Sequence, residues 1–280
     1  MPLITTAELV DRAVADGTAA AAFNVITLEH AEAIAAAAER TGLPAILAVS
    51  HNAVRYHGGA LGPLSAACAA VARGSDAELA LHLDHVEDLA LVELAADHGY
   101  SSVMFDASRL PHEENVAATA RAAALLHPRA CGWRPSWARS AARTGALGHG
   151  PYGPGGRRAL RGGHRRGRLA VAVGSSHAMT ERTAALDHAL IERLRDAVPV
   201  PLVLHGSSGV PDEAITRAVA SGMRKINVGT QLNIAFTGAV RERLAADDRV
   251  DPRRWLAPAR DAVTATVAEL LPVITARPTA

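Results

Sequence analysis

Lysine is nearly absent: Lys225 is the only one in 280 residues. Any chemistry that needs a lysine nucleophile therefore rests on that one side chain. Cysteine is almost as scarce, with Cys68 and Cys131 alone. That excludes a disulfide framework and makes a reducing cytoplasm the expected compartment. No apolar run reaches membrane length, so no spanning helix is expected. The opening MPLITTAELVDRAV lacks the basic start and apolar centre of a secretory leader.

Acidic residues are missing from one long stretch. Between Pro128 and Arg168 there is no Asp or Glu, while ten Arg and two of the three Trp fall there. The formal net charge of +1 is set by this stretch. Without those ten arginines the chain holds 19 basic against 28 acidic residues, a net of −9. An acidic body of this kind excludes nucleic acid as a partner by charge.

What is present is globular: 49% hydrophobic and 20% charged. Short apolar runs alternate with Ala-rich helical ones. AAFNVI (21–26), PAILAVS (44–50), LALHLDH (79–85), SSVMFDAS (101–108), LAVAVGSSH (169–177), PLVLHGSSG (201–209) and KINVGT (225–230) read as strands. Stretches such as LEHAEAIAAAAERTG and VEDLALVELAADHG lie between them. Continuous apolar strands separated by helices imply parallel strands covered on their faces. Seven are visible, and an eighth belongs inside the Arg-rich stretch. The expected fold is α/β, a TIM (β/α)8 barrel forming one domain over 1–280, with a doubly wound sheet as the lesser alternative.

Polar residues gather at the C-terminal ends of these strands: Asn24, Ser50, Asp84 with His85, Asp106, His177, His205 and Asn227. In a barrel those ends share the face on which active sites are built. A lone His there is more often a satisfied core group. Three His on three different strands could converge on one Zn²⁺ and leave its fourth position open. Asp84 would stand beside that metal as an acid or base, or would cap a helix starting at Val86. The turns HGSSGVP and NVGTQ place backbone N–H groups and helix N-termini where barrel enzymes hold phosphate. Lys225 opens its strand, on the face away from this site, so carbanion chemistry here would be metal-assisted rather than through a Schiff base.

These residues resemble the class II, zinc-dependent ketose-bisphosphate aldolases. AFNV, LHLDHVED, VMFDASRLPHEEN, VAVGSSHAMT, LVLHGSSGVP and KINVGTQLN carry the resemblance, in order along nearly the whole chain except about 129–168. It implies His85, His177 and His205 as Zn²⁺ ligands, with a monovalent cation as a further ion, and Asp84 as catalytic acid/base. It implies that Gly206, Ser207 and Ser208, with Asn227, Val228, Gly229 and Thr230, bind dihydroxyacetone phosphate. Asn24 and Ser50 would line the same pocket. Ala178 is a departure, because the family has Gly after its second His; a backbone contact there survives a methyl group. The implied reaction is reversible cleavage of a ketose 1,6-bisphosphate, fructose foremost and tagatose the alternative, in a homo-oligomer (dimer or tetramer).

The family also has an acidic loop of the kind VEAELG…GG…DG after its fifth strand, where this chain has CGWRPSWARSAARTG. Reading Ala130 to Gly145 one frame over, with suitable codons, gives LWVEAELGEVGGKDG. The other frame turns Arg161 to Arg168 into VAATGVDA. Trp133 and Trp137 have a single codon each, and both fit. Three single-base losses, near 130, 146–150 and 168, account for the segment. A true Arg-rich arm for nucleic acid or acidic lipid and a disordered loop are the competing readings. The first reading implies a missing fifth strand, with both neighbours left unpaired.

Overall fold

The computed structural model describes residues 3–126, 136–140, 168–171, 173–175 and 179–275. Helix α1 (Thr6–Asp16) starts on a capping box in which the Thr5 side chain accepts from the Glu8 N–H and Glu8 returns a bond to the Thr5 N–H. The strands are β1 (Ala20–Val25), β2 (Ala45–Ser50), β3 (Leu79–Val86), β4 (Ser102–Phe105), β5 (Ser136–Ser140), β6 (Arg168–Val171), β7 (Leu202–Leu204) and β8 (Met223–Val228). Between and after them lie α2 (Leu28–Thr41), α3 (His51–Tyr56), α4 (Gly62–Gly74), α5 (Leu89–Leu94), α6 (His112–Leu126), α7 (His188–Ala197), α8 (Asp212–Ser221), α9 (Thr230–Ala246) and α10 (Arg253–Thr275).

All pairings are parallel. The strands run in chain order, and β1 pairs with both β2 and β8, so the sheet curls round and closes. Register sorts the side chains onto two faces. Ala22, Ile46 and Ala80 stand side by side, as do Ala22 and Asn227. This inner set packs with Leu9, Val10 and Ala13 of α1. The outer set, including Phe23, Leu47, Leu81, Val103 and Ile226, meets the surrounding helices in one core. Each such buried side chain contributes roughly 1.5–3 kcal/mol. Both faces are covered, which is why the strands read as continuous apolar runs rather than alternating ones.

Two expectations need correction. Ser136–Ser140 forms a strand between β4 and β6, pairing with both, so the fifth position is not missing. Ladder bonds are made by the backbone, and a five-residue stretch without proline supplies them whatever its side chains. The second concerns 86–99. Strand β3 runs through Val86, and the helix there is confined to Leu89–Leu94, capped by Asp88, whose carboxylate accepts from the Ala90 N–H at 2.9 Å. Asp84 caps no helix.

Candidate active site

A regular strand would send Asp84 and His85 to opposite faces of the sheet. Here His85 has φ 52°, the sole non-glycine among the described residues with a positive φ. Pairing with β4 also slips, Leu83 facing Val103 and Val86 facing Phe105. The extra residue is a β-bulge, which turns both side chains toward one place. A left-handed non-glycine costs on the order of 1–3 kcal/mol. Nothing in the letters LDH announces this bend.

The bulge brings His85 Nε2 to 4.0 Å from Asp84 Oδ2 and 2.9 Å from His205 Nδ1. The two imidazoles meet edge to face at 90°. His85 Nδ1 lies 2.9 Å from Asp106 Oδ2; donating its N–H there leaves Nε2 as a lone-pair donor. Ligand atoms of Asp84, His85 and His205 all fall within 4.8 Å of one another. Two nitrogens bound tetrahedrally to one zinc ion lie about 3.4 Å apart, from bonds of about 2.1 Å. The pair at 2.9 Å thus suits a divalent cation after a small separation.

Asp84 is buried, and each of its oxygens has a partner: His82 Nε2 at 3.2 Å on Oδ1 and Asn227 Nδ2 at 3.2 Å on Oδ2. Burial alone would raise its carboxyl, but facing His85, the His82 hydrogen bond and His205 hold it well below the usual carboxylate range. For Asp106 burial works the same way and loses to the bonds from His85 and Ser108, so its carboxyl is also lowered. His85 would be lowered by burial and is raised on balance by Asp84 and Asp106.

The two Gly-rich turns are tied together beside this cluster. Gly206 takes a left-handed φ of 68°; Ser207 Oγ donates to the Asn227 carbonyl at 2.5 Å and the Gln231 N–H donates to Ser208 Oγ at 3.1 Å. Gly229 heads α9 and offers no side chain of its own as a cap, and Thr230 is the first residue of the helix. A Cβ on Gly229 would lie 2.7 Å from Asn24 Nδ2, so Asn24 reaches across the turn. Its Oδ1 is buried with no hydrogen-bond partner. Val228 ends β8 in the outer core. Ser50 is level with Asp84 in register but caps α3, accepting from the Ala53 N–H at 3.1 Å. His177 and Ala178 lie outside the described residues. Among the described residues that flank them in the sequence, Ser175 Oγ donates to the His205 carbonyl at 2.5 Å, and Met179 packs so closely on Gly209 that a Cβ there would clash at 2.6 Å.

The family model described as fructose-bisphosphate aldolase class-II matches residues 4–132 and 164–277. This chain belongs to the class II fructose-bisphosphate aldolase family. It is thereby an aldehyde-lyase of carbohydrate metabolism, from a family that is generally metal-dependent and acts on phosphorylated sugars. A fructose-bisphosphate aldolase of Geobacillus stearothermophilus is 38% identical over 272 residues, 95% of each chain. One from Thermus caldophilus is 34% identical over 314 residues, again 95% of each. Among solved structures, the YdjI aldolase of Escherichia coli K12 superposes with a TM-score of 0.79 at 26% identity, covering 99% of this chain and all of the other. No helix of the described residues is long and apolar enough to cross a membrane.

Sequence reasoning passed over His82 and Ser102 in this aldolase, and placed Asp106 at its strand end without a role. The first had a signal: His82 and Asp84 are two apart on one strand and so share a face, the face of Asn227. The depressed carboxyls give a pH expectation. Asp84 and Asp106 ionise below their unfolded value of about 3.9, so their contribution is complete above that pH and is lost as pH falls through the folded values. The urea midpoint should therefore drop as pH falls below about 4, with a shallower slope in Asp106→Asn. An identical slope in that variant would remove Asp106 from the account.

Proposed function

We propose that this aldolase cleaves fructose 1,6-bisphosphate reversibly to dihydroxyacetone phosphate and glyceraldehyde 3-phosphate, with Zn²⁺ held by His85, His205 and His177. The observation that carries the reading is the convergence of Asp84, His85 and His205 at the strand ends, ligand atoms within 4.8 Å, in a chain of this family. Bound there, zinc supplies Lewis-acid polarisation of the substrate oxygens. Asp106 orients His85 through Nδ1. Asp84 takes the proton from the C4 hydroxyl as the C3–C4 bond breaks, and returns it to the aldehyde oxygen in the reverse direction. The N-terminal end of α9 and the turn at Gly206 to Ser208 hold the phosphate of the dihydroxyacetone half, and Asn24 Oδ1 accepts a hydrogen bond from the substrate.

The full (β/α)8 barrel belongs to the same proposal, as does an out-of-frame origin for about 129–168. The family match skips 133–163, inside the Arg-rich stretch, which supports that origin. In this reading the chain has its metal ligands but not the acidic loop beside them.

His85→Ala tests the site. It should bind less than a tenth of the native zinc and cleave neither fructose nor tagatose bisphosphate, whereas a non-catalytic barrel would show no difference between variant and native protein. Equal turnover of the two sugars by the native site would overturn the choice of fructose.

A further inference from the structure

The single lysine does not sit idle at the far end of the barrel. Lys225 is fully buried on the inner face of β8, in register with Ala20. Its ammonium donates to Asn227 Oδ1, two residues along the strand. An ammonium has donors and no acceptor, so this bond fixes which end of the Asn227 amide is which. Nδ2 is then the end that faces Asp84 Oδ2, at 3.2 Å.

A second relay reaches the other oxygen. Burial, helped by the charge of Lys225, pushes His82 down to about 4, so its ring is neutral. With Nε2 donating to Asp84 Oδ1 at 3.2 Å, Nδ1 must accept, and Ser102 Oγ stands 2.6 Å from it. Donors run from Ser102 through His82, and from Lys225 through Asn227, onto one carboxylate. Each oxygen is held once, which fixes the plane of the group.

Burying an ammonium opposes folding unless its bonds compensate. Burial does lower Lys225 to about 8, with Asp84 acting in the opposite sense. Its layer-mates Ala20 and Val203 show that an apolar side chain is accommodated at this level. A lysine here needs a reason beyond packing.

We propose that Lys225 is a positioning residue, locking the Asn227 amide and through it the orientation of the Asp84 carboxylate. The proposal rests on the aldolase reading for the task Asp84 performs, but not for the network itself. Having one lysine makes the network directly visible: the chain labelled with ¹⁵N-lysine gives a single side-chain ammonium signal. That signal should move in Asn227→Ala and in Asp84→Asn; a signal unchanged in both would overturn the proposal. In cleavage assays Lys225→Met should lower kcat by roughly ten- to a hundredfold, with KM changed less than about threefold and the melting temperature kept or raised. Adding Asn227→Ala should then cost less than it does alone, because the two residues act in series. Native kcat in Lys225→Met, or fully additive losses in the double variant, would also overturn it. If neither the native chain nor one with its reading frame restored cleaves a ketose bisphosphate, the functional reading fails, and the lysine signal still decides the positioning claim.

Discussion

Asp84→Asn should lower the turnover of this aldolase by about 10²–10⁴-fold, the usual contribution of a positioned acid/base. The variant keeps the size of the side chain and loses its ability to take a proton. It also disturbs the network, since both His82 and Asn227 donate to the native carboxylate. An amide offers one oxygen, so one donor then faces an NH₂ group, at a cost of roughly 1–3 kcal/mol. Stability should drop by that amount without unfolding, and the zinc content should stay near native because the histidines remain. A helix-capping role would have predicted near-native turnover, because Asn caps about as well as Asp; Asp88 holds the cap instead. Turnover within a factor of a few of native, in a folded and metal-loaded Asn variant, would remove Asp84 from the chemistry.

Arg168→Ala should stabilise the chain. Arg168 is 5% exposed, at the start of β6. Its Nη2 donates to the Thr6 carbonyl at 3.1 Å, but Nε and Nη1 are buried without hydrogen-bond partners. Burial lowers the guanidinium to about 10, with Asp11 offsetting part of that. Lys225 carries a like charge close enough to be lowered by it. An uncompensated buried charge costs about 3–5 kcal/mol, and the Thr6 bond returns about 1 kcal/mol. The expected gain is therefore roughly 2–4 kcal/mol, read as a higher urea midpoint with unchanged slope. The restored reading frame places alanine at this position, so the variant also tests whether the fold was built for a small residue there. A lower midpoint would show that Arg168 belongs in the barrel.

The strand ends were legible because each functional residue follows an apolar run that can only be a covered strand. Asn24, Ser50, His205 and Asn227 could be placed at one end of a parallel sheet from that pattern alone. The joint use of Asp84 and His85 was not legible in geometry, since adjacent residues on a strand diverge and only the bulge reunites them. Lys225 was placed at the start of its strand, away from the site, and its reach toward Asn227 was missed. Its Cα does sit low in β8, but a four-carbon stem reaches Asn227 up the barrel interior, where the neighbouring inner residues Ala20 and Ala22 leave room. The fifth strand was hidden for a different reason. Ser136–Ser140 carries no apolar run, and its pairing comes from the backbone and from the space between β4 and β6.

The most direct measurement compares two proteins in one cleavage assay: the chain as it stands, and a chain carrying LWVEAELGEVGGKDG and VAATGVDA in place of Ala130–Gly145 and Arg161–Arg168. With fructose 1,6-bisphosphate, the restored protein should turn over at least tenfold faster than the present chain. A chelator should abolish its activity and added Zn²⁺ should return it. A restored protein that is inert, or that cleaves the sugar equally well with and without metal, would contradict the account, as would a present chain that already matches it.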